Sequence, residues 1–367
     1  MKRFLKQNKY RVFSGALAMF LLGNMLISLS PSVLSLTKGI SLFSSSFFVP
    51  GGIFSLIRQT SDEVSSYVEI LAGGNQGTQA EEQESNHVLG VPTETQEVSD
   101  ENRGVINEIQ YLSKEGGRIL SFGSGLIKNS TDHSNEEVLK IISEKPSFRL
   151  KCDGSIEVLV LHTHATECYN PYDSGVFDRS IASRSTDNSL NMVMVGATLT
   201  SELSRLGIGV VHSTTQHDNP SFNGAYNREK ETVEAYRKKY PDIKVIIDLH
   251  RDAIEPDGNT RVKPTAVING KKAAQIMILS GCENGYMNFP DWAENLRFNA
   301  ILEDKIEAAY PGLTRPVYFN YSKYNQNLLT GATLIEVGSH ANTIDEAVYT
   351  AKLIARPIYE ALSELKE

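Results

Sequence analysis

The chain has few residues of the kinds that would fix it by covalent or thiolate links. Its three cysteines, Cys152, Cys168 and Cys282, include no CxxC pair, so neither a disulfide framework nor a thiolate zinc site is indicated. Unpaired thiols and a single bridge both stay open. Positive charge is also scarce: 36 Lys and Arg face 44 Asp and Glu, for a net charge of -8. A phosphate backbone rewards clustered cations, so this balance argues against a nucleic-acid partner. Membrane-length apolar runs are absent beyond the N-terminal region, and there is no internal repeat. What remains is a 367-residue chain that is 40% hydrophobic, enough for one large domain or two ordinary ones.

The single long apolar run sets the expected address. Lys2, Arg3, Lys6, Lys9 and Arg11 precede the uncharged stretch 12–37, whose most apolar part, 12–29, reaches the roughly 17 to 25 residues a membrane-spanning helix needs. Basic residues upstream place that end in the cytoplasm and the bulk of the chain outside. The expected layout is a basic N-terminus at 1–11, a transmembrane anchor at 12–30, a juxtamembrane segment and linker at 31–147, and an extracytoplasmic domain at 148–367. A cleavable signal peptide is the alternative, with Ser28 and Ser30 as small residues near a cut site. Residues 73–103 are too polar to offset their ordering cost and read as a flexible acidic spacer. Short periodic pieces in 104–145 are left without an assignment.

From about Arg149 the pattern is regular. Apolar, β-branched runs at 156–161, 244–249 and 333–337 predict buried strands, with a shorter strand at 208–211. Helical spacing predicts helices at 190–206, 228–240, 291–309 and 345–365, the first closed by Gly207. Alternating strands and helices predict an α/β fold with a mostly parallel or mixed sheet flanked by helices on both faces.

Chemistry-bearing residues gather where such sheets place their sites, at the carboxyl ends of strands. The first strand runs into His162-Thr163-His164-Ala165-Thr166-Glu167, the second into His250-Arg251-Asp252, and the third carries Glu336. Two imidazoles and a carboxylate with an open position form a catalytic zinc sphere, and a carboxylate beside it serves as general base. His164, Glu167 and His250 are the expected metal ligands and Glu336 the expected base. Taken singly, each histidine is as readily a hydrogen-bonded structural residue. His162, two residues from His164, competes for the metal if the strand continues, but lies farther from the crevice and reads as supporting the site or touching substrate. Asp187 is expected to cap the helix starting near Asn188 rather than reach the metal. Arg251 is expected to bind a peptide carboxylate or steady an oxyanion, with a salt bridge to Asp248 or Asp252 as the alternative. An ion pair with Arg251 or Arg184 is the structural alternative for Glu336. His340 reads as a solvated loop residue, with substrate orientation as the alternative, and Tyr318, Tyr321, Tyr324 and Trp292 as core aromatics, with groove lining as the alternative.

The ordered segments VLVLHTHATECY, NMVMVGATLTSELSRLGIGV, VIIDLHRDA and TLIEVGSHANTIDEA, spread over 148–367, resemble the stage II sporulation protein P family. That family is similar to the zinc-dependent N-acetylmuramoyl-L-alanine amidases of the amidase-3 type. The resemblance implies an amidase-3-like fold around one zinc ion, cleavage of the amide between the glycan lactyl group and stem-peptide L-alanine, and endopeptidase action on cross-links. It casts His164 and His250 as zinc ligands and Glu336 as the catalytic glutamate. Where the wider amidases have Gly-His-Gly-Gly, this chain has Thr163-His164-Ala165-Thr166, and their zinc glutamate falls nearer Asp187 and Asn188. Glu167, close to His164, and Asp187 are therefore both candidates for the third ligand. The implied setting is the peptidoglycan between mother-cell and forespore membranes during engulfment, with a membrane partner and a transglycosylase. A wall-binding scaffold without metal and an exported zinc carboxypeptidase are the competing readings.

Overall fold

The computed structural model describes residues 98–367. The expected anchor at 12–30 and most of the linker lie outside the described residues. Among the described residues, no helix is long and apolar enough to cross a membrane.

In chain order the strands are β1 (Arg103–Ile109), β2 (Ile119–Phe122), β3 (Gly125–Asn129), β4 (Val158–Leu161), β5 (Val176–Asp178), β6 (Val210–His212), β7 (Val245–Asp252), β8 (Thr260–Ile268), β9 (Lys271–Ala274), β10 (Ile276–Gly281), β11 (Thr314–Asn320) and β12 (Gly331–Ser339). The helices are α1 (Asn135–Ile142), α2 (Met192–Arg205), α3 (Ala225–Lys239), α4 (Trp292–Ala309) and α5 (Ile344–Ser363). Eight strands form one mixed sheet in the order β2-β3-β11-β10-β12-β7-β4-β6, and β5-β1-β8-β9 form a smaller sheet.

The three strands expected to be buried are β4, β7 and β12, adjacent and parallel at the middle of the large sheet. Every residue of β4 is inaccessible to solvent, and a fully buried Val or Leu stabilises by about 1.5–3 kcal/mol. Alternation sorts its side chains onto two faces. Val158 and Val160 join the core built on α2, α4 and α5, while Leu159 and Leu161 join Val233 of α3 on the other face. Helices thus cover both faces of this part of the sheet, and β10 runs antiparallel to β12, so the sheet is mixed.

The helices begin where local chemistry allows. Asn191 Oδ1 accepts the Val193 N–H to cap α2, and Thr343 with Glu346 forms a reciprocal capping box on α5. Gly207, at φ 92°, ends the α2 turn in the left-handed region that disfavours a side chain. Asp187, expected as the cap, instead accepts Ser189 N–H and O–H in a turn upstream.

The boundary expected at residue 148 falls inside this unit. β1 pairs with β5 and β8 at the centre of the small sheet, and β3 pairs in parallel with β11 in the large one.

Candidate metal centre and cleft

The residues of interest lie on the α3 face of the sheet, at the carboxyl ends of its central strands. Register puts Glu336 of β12 directly beside His250 of β7, so their side chains emerge from the same face. Asp248 precedes His250 by two residues on that face.

After β4 the chain leaves strand geometry. A tight turn follows, in which the Glu167 N–H donates to the His164 carbonyl, bringing those two side chains together. Glu167 Oε1 is 3.5 Å from His164 Nδ1, and Glu167 Oε2 is 3.6 Å from His250 Nδ1. A tetrahedral sphere with bonds of about 2.0–2.1 Å separates its ligand atoms by about 3.4 Å, which these distances approach. His164, Glu167 and His250 can each offer an atom within 4.8 Å of the others.

Hydrogen bonds fix each member. Asp248 receives the Thr163 N–H at 2.9 Å and the Thr163 hydroxyl at 2.7 Å, and its Oδ2 lies 2.9 Å from His250 Nε2. With Nε2 held by a carboxylate, Nδ1 of His250 is the atom turned toward Glu167. Burial works against charge on this ring, yet the flanking Asp248 and Glu167 push its pKa well above the ordinary histidine value. The same pair of carboxylates creates the negative field a dication requires, so the donor set fits zinc. Glu167 is buried, which disfavours its charge, but His164, His250 and the Arg251 guanidinium hold its carboxyl below the usual range.

Glu336 is the carboxylate with least support. Its Oε2 is shut away from solvent without a hydrogen-bond partner. Burial, reinforced by Asp252 and Glu167, pushes its pKa up to about 8, against the opposing charge of His250 and Arg315. Neither Arg184 nor Arg251 pairs with it. Asp252 pairs with Arg315 at 2.9 Å.

Several expected roles change in the structure. His162 is fully buried on the opposite face, with Nδ1 3.0 Å from the Leu249 carbonyl and Nε2 2.9 Å from His212 Nε2. The turn after Leu161 rotates His164 away from the direction strand alternation would give it, so the two histidines never compete. Gly196 of α2 permits the His162 and His212 rings, since a Cβ there would meet them at 2.5–2.6 Å. Asp187 is exposed and absent from the cluster, which leaves Glu167 as the third ligand candidate. Arg251 is buried at the wall of the cleft, and its guanidinium donates to the carbonyls of Cys168 at 3.0 Å and Ser183 at 2.7 Å, so it braces the backbone there. His340 is not solvated: it is 4% exposed and lines the cleft, and burial beside Arg261 and Arg251 lowers its pKa to about 3.

His164, Glu167, His250, Arg251, Glu336 and His340 line an open cavity of about 440 Å³ whose wall also includes Arg184, Phe222, Tyr226, Tyr324 and Glu255. The Phe222 ring stacks on His164 at 4.3 Å, and Tyr226 meets the same imidazole edge-on at 5.7 Å. None of these wall residues was singled out for the metal site by sequence reasoning, because they lie in loops or at a helix start. The Asp218-Asn219-Pro220 breaker beyond β6 was the available signal, since it marks a loop near neighbouring strand ends.

Residues 60–359 match the family described as Stage II sporulation protein P. The chain is 27% identical over 209 residues to the stage II sporulation protein P of Bacillus subtilis strain 168, covering 54% of this chain and 49% of the relative. It thus spans about half the length of the curated relative it matches. Among solved structures it is similar to an N-acetylmuramoyl-L-alanine amidase of Nostoc punctiforme (8% identity, 57% of this chain, 96% of that chain, TM-score 0.34). It is also similar to an N-acetylmuramoyl-L-alanine amidase of Clostridium difficile 630 (14% identity, 58% of this chain, 97% of that chain, TM-score 0.34).

Proposed function

The chain belongs to the stage II sporulation protein P family, and we propose that it is a zinc-dependent peptidoglycan hydrolase of endospore formation. In this reading it is an N-acetylmuramoyl-L-alanine amidase with endopeptidase action on cross-links. The observation that carries it is the convergence of His164, Glu167 and His250 beside the poorly solvated Glu336 in one open cleft.

His164, Glu167 and His250 would hold the metal. The chemistry that zinc supplies when bound is a Lewis acid that acidifies water and polarises a carbonyl. Asp248, fixed by Thr163, keeps His250 in the tautomer and orientation that presents Nδ1. Glu336 takes a proton from the attacking water and passes it to the departing amine. Burial raises its pKa to about 8 without metal, and a dication beside it would favour the carboxylate form that a base needs. Arg251 holds the backbone around Ser183 and Cys168, so the Glu167 turn stays in place.

The test is digestion of purified sacculi by the chain from Val98 onward, with and without chelator, followed by mass spectrometry of the fragments. The expected result is release of stem peptides with a new N-terminal alanine, together with some cross-link cleavage, lost with chelator and restored by zinc. Binding to sacculi without zinc and without release would replace this reading with a scaffold. Removal of terminal residues alone would replace it with a carboxypeptidase.

The address is part of the same proposal: a single-pass anchor at 12–30 with the hydrolase outside the membrane, facing the wall around the forespore. A membrane protein and a transglycosylase are the proposed partners. Protease added to intact protoplasts should degrade the region 98–367, and protection of that region would reverse the orientation.

A further inference from the structure

A cleft that cuts a peptide-bearing polymer must also choose which amide to present, and the charged groups around this one differ in what they have left to offer. Asp252 is paired with Arg315, and Arg251 is committed to backbone carbonyls. Glu255 lies 3.7 Å from Arg261.

Arg184 is different. It lines the cleft with its side chain 38% exposed, while Nη1 donates to Asp218 Oδ2 at 2.6 Å and Nη2 to Glu167 Oε1 at 3.4 Å. A guanidinium carries five N–H donors, so donors remain after those two bonds. Its anchor is firm, because the buried Asp218 also accepts the Thr166 N–H. The guanidinium also lies over the Phe222 ring that stacks on His164, 4.7 Å from its centre. The result is a pre-oriented cation, partly open to the cleft and in contact with a candidate metal ligand. Elsewhere on the same cavity the carboxylates of Asp252 and Glu255 already have arginine partners, so neither neutralises Arg184.

We propose, on the basis of the hydrolase reading, that Arg184 is a specificity-determining residue that pairs with a carboxylate of the substrate peptide near the scissile amide. The cleft then takes acidic peptides in one direction, carboxylate toward Arg184, and discriminates against peptides in which that group is a primary amide.

The test uses Glu336→Gln protein to keep the probe intact, and measures calorimetric binding of two N-acetylmuramoyl peptides, one with free carboxylates and one with those groups converted to primary amides. The free acid is expected to bind about 10- to 100-fold more tightly, the span of a charge-assisted hydrogen bond. Adding Arg184→Met should erase the difference, and Arg184→Lys should restore part of it. Zinc content and circular dichroism of each variant report whether the clamp on Glu167 survives. Equal binding of both peptides, or an equal loss of both in Arg184→Met, would overturn the proposal and leave Arg184 a structural brace. Failure of both peptides to bind also overturns it. Sacculus digestion by the unsubstituted chain reports separately on the hydrolase reading, so the two can fail independently.

Discussion

Two charge clusters in this molecule, each built around a buried cation, use similar ingredients to different ends. At the small sheet, Lys263 is 1% exposed and lies 2.6 Å from Asp173 and 2.7 Å from Glu346, with Glu108 at 3.6 Å. Lys272 closes the same network by pairing with Glu108 and Asp173. At the large sheet, His250 and Glu167 are equally buried, yet Glu336 Oε2 beside them has no partner, and the group opens onto a cavity. The cation of the first cluster meets fixed anions and ties β8 to α5. The second leaves donor atoms facing a shared point and one carboxyl poorly solvated, the condition for chemistry rather than cohesion.

Substitutions can break that comparison in order of expected effect. His250→Ala should remove zinc and with it all measurable sacculus hydrolysis, and should also lower the thermal midpoint because the buried Asp248 loses its imidazole partner; retained zinc by elemental analysis would dismantle the ligand set. Glu336→Gln should lower turnover by at least about 1,000-fold, near the upper end of what a lost proton-transfer group costs, with zinc still bound. Full activity in that variant would assign the base elsewhere. Lys263→Met should reverse the pattern, costing about 3–5 kcal/mol of unfolding free energy by stranding the buried Glu346 carboxylate, since Asp173 and Glu108 are more exposed and keep Lys272, while leaving kcat of the folded fraction unchanged. Urea melts and initial rates on one preparation would separate the two kinds of damage.

The smallest effect concerns a third carboxyl. Glu303 on α4 is buried, which pushes its pKa well above the ordinary carboxylate range despite the Thr314 hydroxyl 2.7 Å from Oε1. A folded-state pKa raised in this way contributes stability at low pH that is lost as pH climbs from the ordinary carboxylate range toward the folded value. Glu303→Gln should therefore stabilise the protein at neutral pH and flatten that slope. An unchanged pH profile of the melting temperature would show that Glu303 is ionised in the fold.

What could be read from the amino acids follows from where their patterns are pure. The runs ending at Leu161 and Leu249, and the run through Glu336, are largely apolar because both faces of β4, β7 and β12 are covered, so the strands and the groups beyond them were legible together. The small sheet was not, since β8 carries Lys263 and Pro264 within the strand, and a buried lysine looks like a surface signal until its partners are known. β11 carries Pro316 for similar obscurity, whereas β10, IMILSG, offered an apolar run that went unused. In the cleft, His164, Glu167 and His250 follow from their places near strand ends. The contacts of Arg184, Phe222 and Tyr324 depend on loop paths that no periodicity encodes. The opposite facing of His162 and His164 likewise depends on one turn that strand alternation cannot foresee.

The placement of β1 has a practical consequence for anyone who trims the protein. A fragment begun at Phe148, where the regular pattern starts, would lack β1, β2 and β3, stripping the inner neighbour from β8 and the outer neighbour from β11. Bare strand borders of that kind recruit other chains. Such a fragment should collect in inclusion bodies, while one begun at Val98 stays monodisperse, and the insoluble product would be mistaken for an intrinsically unstable enzyme.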